Sequence, residues 1–164
     1  MNNAKVLVVM GSRSDLPVMQ ACLDQLKELG IPSETRILSA HRTPDAVLEL
    51  SRTAEEKGIR VIIAAAGGAA HLAGVLASST TLPIIGIPMQ TSALGGMDSL
   101  LSTVQMPAGV PVATVAIGKA GAKNAAVLAG QILALSDETM NATMKKFKQD
   151  QKEAVLAASV LEEE

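Results

Sequence analysis

Short runs of apolar, β-branched residues alternate along this chain with amphipathic stretches of helical period. That alternation constrains the fold more than any other feature. Residues 5–10, Lys-Val-Leu-Val-Val-Met, have the length and composition of a strand covered on both faces. Gly11-Ser12-Arg13-Ser14-Asp15 breaks the run. Leu16, Met19, Leu23, Leu26 and Leu29 then recur at helical spacing, and Gly30 is a stop signal. Further strands are predicted at 34–38, 61–65, 83–87 and 111–116. Helices are predicted at 44–57, from about 69 to 78, at 97–104 and at 120–135. Thr43-Pro44-Asp45 reads as N-cap, first-turn proline and first-turn acid of the helix at 44–57. Strands alternating with helices imply a parallel sheet covered on both faces. Five strands at this length predict a three-layer αβα sandwich of flavodoxin-like order 2-1-3-4-5.

The expected organisation is a single α/β domain over 1–164, with a C-terminal helical extension from about 138 to 164. In that tail Met140, Met144, Phe147, Val155 and Ala158 fall roughly on one face, and Lys145, Lys146, Lys148 and Lys152 lie largely elsewhere. Glu153 and Glu162 to Glu164 offset the lysines. Packing against the domain or a neighbouring subunit is therefore expected, rather than a membrane surface.

Composition narrows the function classes. Charged residues make up 18% and hydrophobic residues 48% of 164, so a large subunit interface is expected. One Phe with no Tyr or Trp leaves no aromatic platform for single-stranded nucleic acid. A net charge of −2 lacks the basic footprint that phosphate-backbone binding needs. The single Cys22 cannot form an internal disulfide and reads as a small core thiol. Two histidines thirty residues apart do not form a zinc motif, so no metal is expected. The uncharged stretch 61–88 contains Gly67-Gly68, His71, a Ser/Thr cluster and Pro83, and so does not read as a membrane span. No targeting segment is visible, and a cytoplasmic protein is expected.

In an open parallel sheet, ligands bind outside the carboxyl ends of the strands, at the switch point. In the order 2-1-3 the first loop, 11–15, lies between Ser39-Ala-His41-Arg42 and Gly67-Gly68-Ala69-Ala70-His71. Both histidines therefore reach one edge. Gly11 permits a tight turn, and the hydroxyls of Ser12 and Ser14 with the following helix N-terminus form a candidate anion cradle. The plainer alternative is that Ser14 or Asp15 caps that helix. Asp15 suits ribose hydroxyls rather than a phosphate. Arg42 can clamp a phosphate with Ser39 beside it, or be a solvated loop arginine. An imidazole titrates at about 6.5, so His41 is a candidate proton carrier, or a hydrogen-bonded loop side chain. His71 sits in a loop of small residues whose amides can approach a ligand, or it simply shapes that loop. There is no Walker lysine and no evident nucleophile with its base. What remains is proton transfer by imidazole on a small phosphorylated molecule.

Taken together, Gly-Ser-Arg-Ser-Asp (11–15), Ser-Ala-His-Arg-Thr-Pro (39–44), Ala-Gly-Gly-Ala-Ala-His-Leu (66–72), Asp-Ser-Leu-Leu-Ser-Thr-Val-Gln-Met-Pro (98–107) and Pro-Val-Ala-Thr-Val-Ala-Ile-Gly-Lys-Ala-Gly (111–121) resemble the N5-carboxyaminoimidazole ribonucleotide mutase family. The resemblance covers roughly residues 5–135. It implies transfer of a carboxyl group from the exocyclic amine of an aminoimidazole ribonucleotide to a ring carbon, in de novo purine synthesis. It implies no metal, organic cofactor or ATP, and an octamer. Ser12, Asp15 and Arg42 match substrate-binding positions, with Ser14 and Ser39 beside them. His41 matches the catalytic histidine, and His71 a second active-site histidine. Gly68, Ala69, Ala70 and Leu72 match the loop that holds the carboxylate or carbon dioxide. The family often has Gly at position 65 and Pro at position 73, where this chain has Ala65 and Ala73. Two other readings stay open. One is the branch that carboxylates aminoimidazole ribonucleotide with free carbon dioxide. The other is a non-enzymatic flavodoxin-like nucleotide-binding module. A flavin carrier would want aromatics, and a phospho-receiver clustered acids after the first strand.

Overall fold

The computed structural model describes residues 4–159. The acidic end of the tail, 162–164, lies outside them. In chain order the elements are β1 (Val6–Met10), α1 (Leu16–Glu28), β2 (Ser33–Ile37), α2 (Pro44–Thr53), β3 (Val61–Ala66) and α3 (Leu72–Ala77), then β4 (Ile84–Pro88), α4 (Met97–Val104), β5 (Ala113–Thr114), α5 (Lys119–Ala134) and α6 (Glu138–Ala157). The strands form one five-stranded sheet in the order β2-β1-β3-β4-β5, and every pairing is parallel. This is the flavodoxin-like architecture that the strand and helix pattern predicts.

The apolar runs split by the two-residue period of a strand. Val6, Val8 and Met10 of β1, with Val61, Ile63, Ala65, Ile85 and Ile87, face one core under α1, α5 and α6. Leu7 and Val9, with Ile62, Ala64 and Ile84, face the other core under α2 and α3. Ala65 lies fully buried in the first core, and Ala73 is buried in the second. Cys22 is buried where α1 meets its core. β2 is a largely exposed edge strand crossed by a Glu34–Arg36 ion pair, as edge strands often are.

α4 lies close to the sheet because residue 86 has no side chain. A Cβ there would come within 2.6 Å of Thr103 Cγ2 and 2.8 Å of Val112 Cγ1. α6 packs on α5 through its first half. Met144 is buried, and Met140 and Phe147 lie against the core, whereas Val155 and Ala158 are exposed. The single apolar face expected for the tail is therefore covered along half its length.

Within the α/β domain, three elements differ from expectation by more than one residue. β5 is two residues long rather than six. Pro111 has no N–H to give a ladder, and the chain turns away toward α5 at Gly118, whose φ is +72°. α2 stops at Thr53 rather than 57, because the chain tightens to an Ala54 N–H to Ser51 carbonyl bond and turns at Gly58, φ +88°. α3 starts at Leu72, later than expected. The preceding loop makes its own short-range bonds.

Candidate active site

The loops after β1, β2 and β3 meet at the carboxyl edge around a cavity of about 300 Å³. Its lining includes Ser12, Ser14, Asp15, Ser39, His41, Arg42, Ala69, His71 and Leu72, with Gly11, Ala40, Ala66 and Gly67. Such a volume sits at the lower end of small-molecule sites. Gly68 and Ala70, the other two residues predicted for the site, are not in the lining.

The first loop closes on itself. Residues Arg13–Asp15 form one 3₁₀ turn that the sequence pattern did not predict. Ser12 caps it, whereas Asp15 stands at the N-cap of α1, one of the two positions expected, without a side-chain cap bond there. Ser12 Oγ accepts the Ser14 N–H at 3.2 Å and the Ser14 hydroxyl at 2.8 Å. Asp15 Oδ2 accepts the Ser12 N–H at 3.1 Å, completing a capping box. Burial pushes the Asp15 carboxyl above its usual range, and that N–H pulls it part of the way back. Gly11 is not required for a tight turn. Its N–H continues the sheet to the Ala65 carbonyl at 3.0 Å, and a Cβ would meet only ordinary contacts.

The second loop is held by Ser39 and Thr43. Thr43 stands at the N-cap of α2, yet its hydroxyl makes no cap bond. It donates to the Ser39 carbonyl at 2.9 Å and accepts the Ser39 N–H at 3.0 Å. Ser39 Oγ accepts from the Arg42 backbone N–H at 3.2 Å and from Arg42 Nε at 3.3 Å. Arg42 Nη2 reaches across to the Gly11 carbonyl at 3.4 Å. Arg42 makes no ion pair with a carboxylate among the described residues, so its charge is available to an anion.

The third loop turns at Gly68, φ +68°, a conformation that favours glycine. Its backbone is anchored from outside the cavity. Ser99 Oγ accepts the Gly68 N–H at 2.9 Å, and Ser102 Oγ accepts the Ala70 N–H at 3.0 Å. Those two amides are therefore unavailable to a ligand. Reasoning from the sequence missed both serines as part of the site. Their signal was the 98–107 motif, which carries them three residues apart on one face of a short helix.

At the edge the two histidines touch. His41 Nε2 lies 2.8 Å from His71 Nδ1, and the rings meet edge-on at 4.9 Å between centroids. Both side chains are exposed. No group of three or more His, Cys, Asp or Glu gathers at metal-ligand range among the described residues. The arrangement offers an anion clamp, a carboxylate, and a paired imidazole beside a loop of small residues.

A model of the AIR carboxylase family matches residues 5–154. The chain belongs to that family. It is 55% identical over 152 residues to the N5-carboxyaminoimidazole ribonucleotide mutase of Bacillus subtilis, covering 93% of this chain and 94% of that one. It is 50% identical over 155 residues to the enzyme of that name from Escherichia coli K12, covering 94% and 92%. Among solved structures, Treponema denticola PurE superposes with a TM-score of 0.83 at 27% identity, covering 93% of this chain and 94% of that one. No helix among the described residues is long and apolar enough to cross a membrane.

Proposed function

We propose that this AIR carboxylase family member is a mutase. It converts N5-carboxyaminoimidazole ribonucleotide to 4-carboxy-5-aminoimidazole ribonucleotide in purine (IMP) biosynthesis. The observation that carries the reading is the contact of His41 with His71 at the mouth of a cavity that also holds Arg42 and Asp15. Relatives at half identity or more bear the mutase name over nearly the whole chain. Arg42 takes the phosphate, with the Ser12, Ser14 and Ser39 hydroxyls beside it. Asp15 accepts from the ribose hydroxyls. These remote contacts fix the heterocycle beneath His41.

The carbamate C–N bond then breaks. Its electron pair stays on the exocyclic nitrogen, which takes a proton from His41, and carbon dioxide is freed. The electron-rich ring carbon attacks the carbon dioxide and forms the new C–C bond. His41 recovers a proton from that carbon, so no net proton is consumed. The third loop, with Ala69 and Leu72 in the cavity wall, retains carbon dioxide between the two steps. Retention keeps the transfer intramolecular, and positioning of that kind is worth roughly 7–11 kcal/mol. The working form is a cytoplasmic homo-octamer. The exposed Leu94, Met97, Leu101 and Val104 on and before α4 favour burial against another copy.

The test is to offer N5-carboxyaminoimidazole ribonucleotide and, separately, aminoimidazole ribonucleotide in bicarbonate-free buffer. Product from the first substrate alone supports the mutase. Product only from the second once carbon dioxide is added assigns the carboxylase, and nucleotide binding without turnover assigns a binding module.

A further inference from the structure

Neither α4 serine lines the cavity, yet together they decide which amides of the third loop are committed. Ser99 is fully buried and holds the Gly68 N–H. Ser102, one turn later, holds the Ala70 N–H and lies 3.0 Å from the Gly68 carbonyl. Its one hydroxyl proton has that carbonyl and those of Asp98 and Ser99, at 2.7 and 3.3 Å, as acceptors. Ser102 therefore spans the loop from Gly68 to Ala70. The His71 N–H donates to the Ala69 carbonyl at 2.9 Å.

The donors of the loop consequently alternate. The amides at 68 and 70 go to α4. Those of Gly67 and Ala69 have no hydrogen-bond partner among the described residues. Exposure follows the same alternation. Gly67 and Ala69 are exposed and line the cavity, Gly68 is half-buried and Ala70 is buried.

We propose that Ser99 and Ser102 are positioning residues for the carboxyl transfer, which hold the third loop so that the Gly67 and Ala69 amides serve the migrating carboxyl group. The proposal rests on the mutase reading above. Without the hydroxyls, the Gly68 N–H loses its acceptor and the Ala70 N–H keeps only the Gly68 carbonyl at 2.9 Å, so the loop must rearrange to satisfy them. The two cavity donors then lose their register. Carbon dioxide escapes more often before the ring carbon captures it, leaving aminoimidazole ribonucleotide.

The experiment uses the full chain and Ser99→Ala, Ser102→Ala and Ser102→Thr. N5-carboxyaminoimidazole ribonucleotide is supplied in buffer containing labelled bicarbonate. The ratio of released aminoimidazole ribonucleotide to carboxylated product is measured above the uncatalysed background, with label in the product as a second readout. Each alanine variant is expected to raise that ratio about tenfold, on the scale of one lost hydrogen bond, with the nucleotide KM changed by less than about threefold. Ser102→Thr is expected to restore it. Slower turnover at an unchanged ratio overturns the proposal, because a merely structural role does not alter partitioning. If the parent chain makes no product, the mutase reading itself fails, a result separate from an active parent with unaltered partitioning in the variants. Should the alanine variants fail to fold by circular dichroism, Ser102→Cys, which keeps an atom in place but weakens both bonds, decides by the same ratio.

Discussion

His41 Nε2 and His71 Nδ1 lie 2.8 Å apart, although thirty residues of chain separate them. A hydrogen bond between two imidazole nitrogens needs one donor and one acceptor. Full protonation of both rings would set two donors against each other. In the proposed reaction Nδ1 of His41 is the nitrogen left for the substrate, and His71 orients the ring. His41→Asn is expected to fold and bind nucleotide but to lose about 10²–10⁴-fold in kcat. His71→Ala is expected to lose roughly 10–100-fold, the effect of one hydrogen bond to a group that becomes charged. Steady-state kinetics of the double variant check the coupling. It should be no slower than His41→Asn alone, because the two rings act as a unit.

Arg42 makes no ion pair with a carboxylate among the described residues, and its guanidinium joins the second loop to the first. Arg42→Ala is expected to weaken nucleotide binding about 10–100-fold, as loss of a charge-assisted bond does. Titration calorimetry with the product nucleotide measures this directly, and unchanged affinity would place the phosphate elsewhere.

Asp15 links binding to pH. Burial raises its carboxyl above the ordinary value of 3.8, against the smaller pull of the Ser12 N–H. The folded chain then holds this proton more tightly than the unfolded chain. Stability is lost as pH rises from 3.8 through the folded value and is constant above it. Asp15→Asn keeps an acceptor for Ser12 and removes the charge. Urea melts should show the variant gaining on the parent at pH 7, with the gain shrinking as the pH falls through the folded value toward 3.8. Its affinity for the nucleotide should drop at the same time.

Burial pushes the Cys22 thiol up to about 12. A thiol-reactive chromogen at pH 8 should therefore leave the native chain untouched and label one thiol per chain in denaturant. Rapid labelling of native protein would show that the packing of α1 opens.

Met97, Leu101 and Val104 give α4 an exposed apolar face. Sedimentation at micromolar concentration is expected to give about eight times the chain mass of 16.9 kDa. Met97→Glu with Leu101→Glu is expected to lower it, since two charges would be driven into a buried contact. A parent sedimenting as a single chain would remove the octamer.

By itself the sequence determined the strand order, the α4 bounds, the Gly30 stop after α1 and the three loops that converge. These rest on short-range physics: two-residue and helical periods, β-branched content and turn chemistry, each legible within a dozen residues. The loop assignments for Ser12, Ser14, Asp15, Ser39, His41, Arg42, Ala69, His71 and Leu72 led to one cavity for that reason. Only the tertiary structure decided that His41 touches His71 and that Gly68 and Ala70 give their amides to Ser99 and Ser102. It also shortened β5. These outcomes depend on how far a helix such as α4 can approach the sheet over Gly86, and on which donor reaches which acceptor first. Such distances are set by packing between segments about thirty residues apart, and no local pattern encodes them.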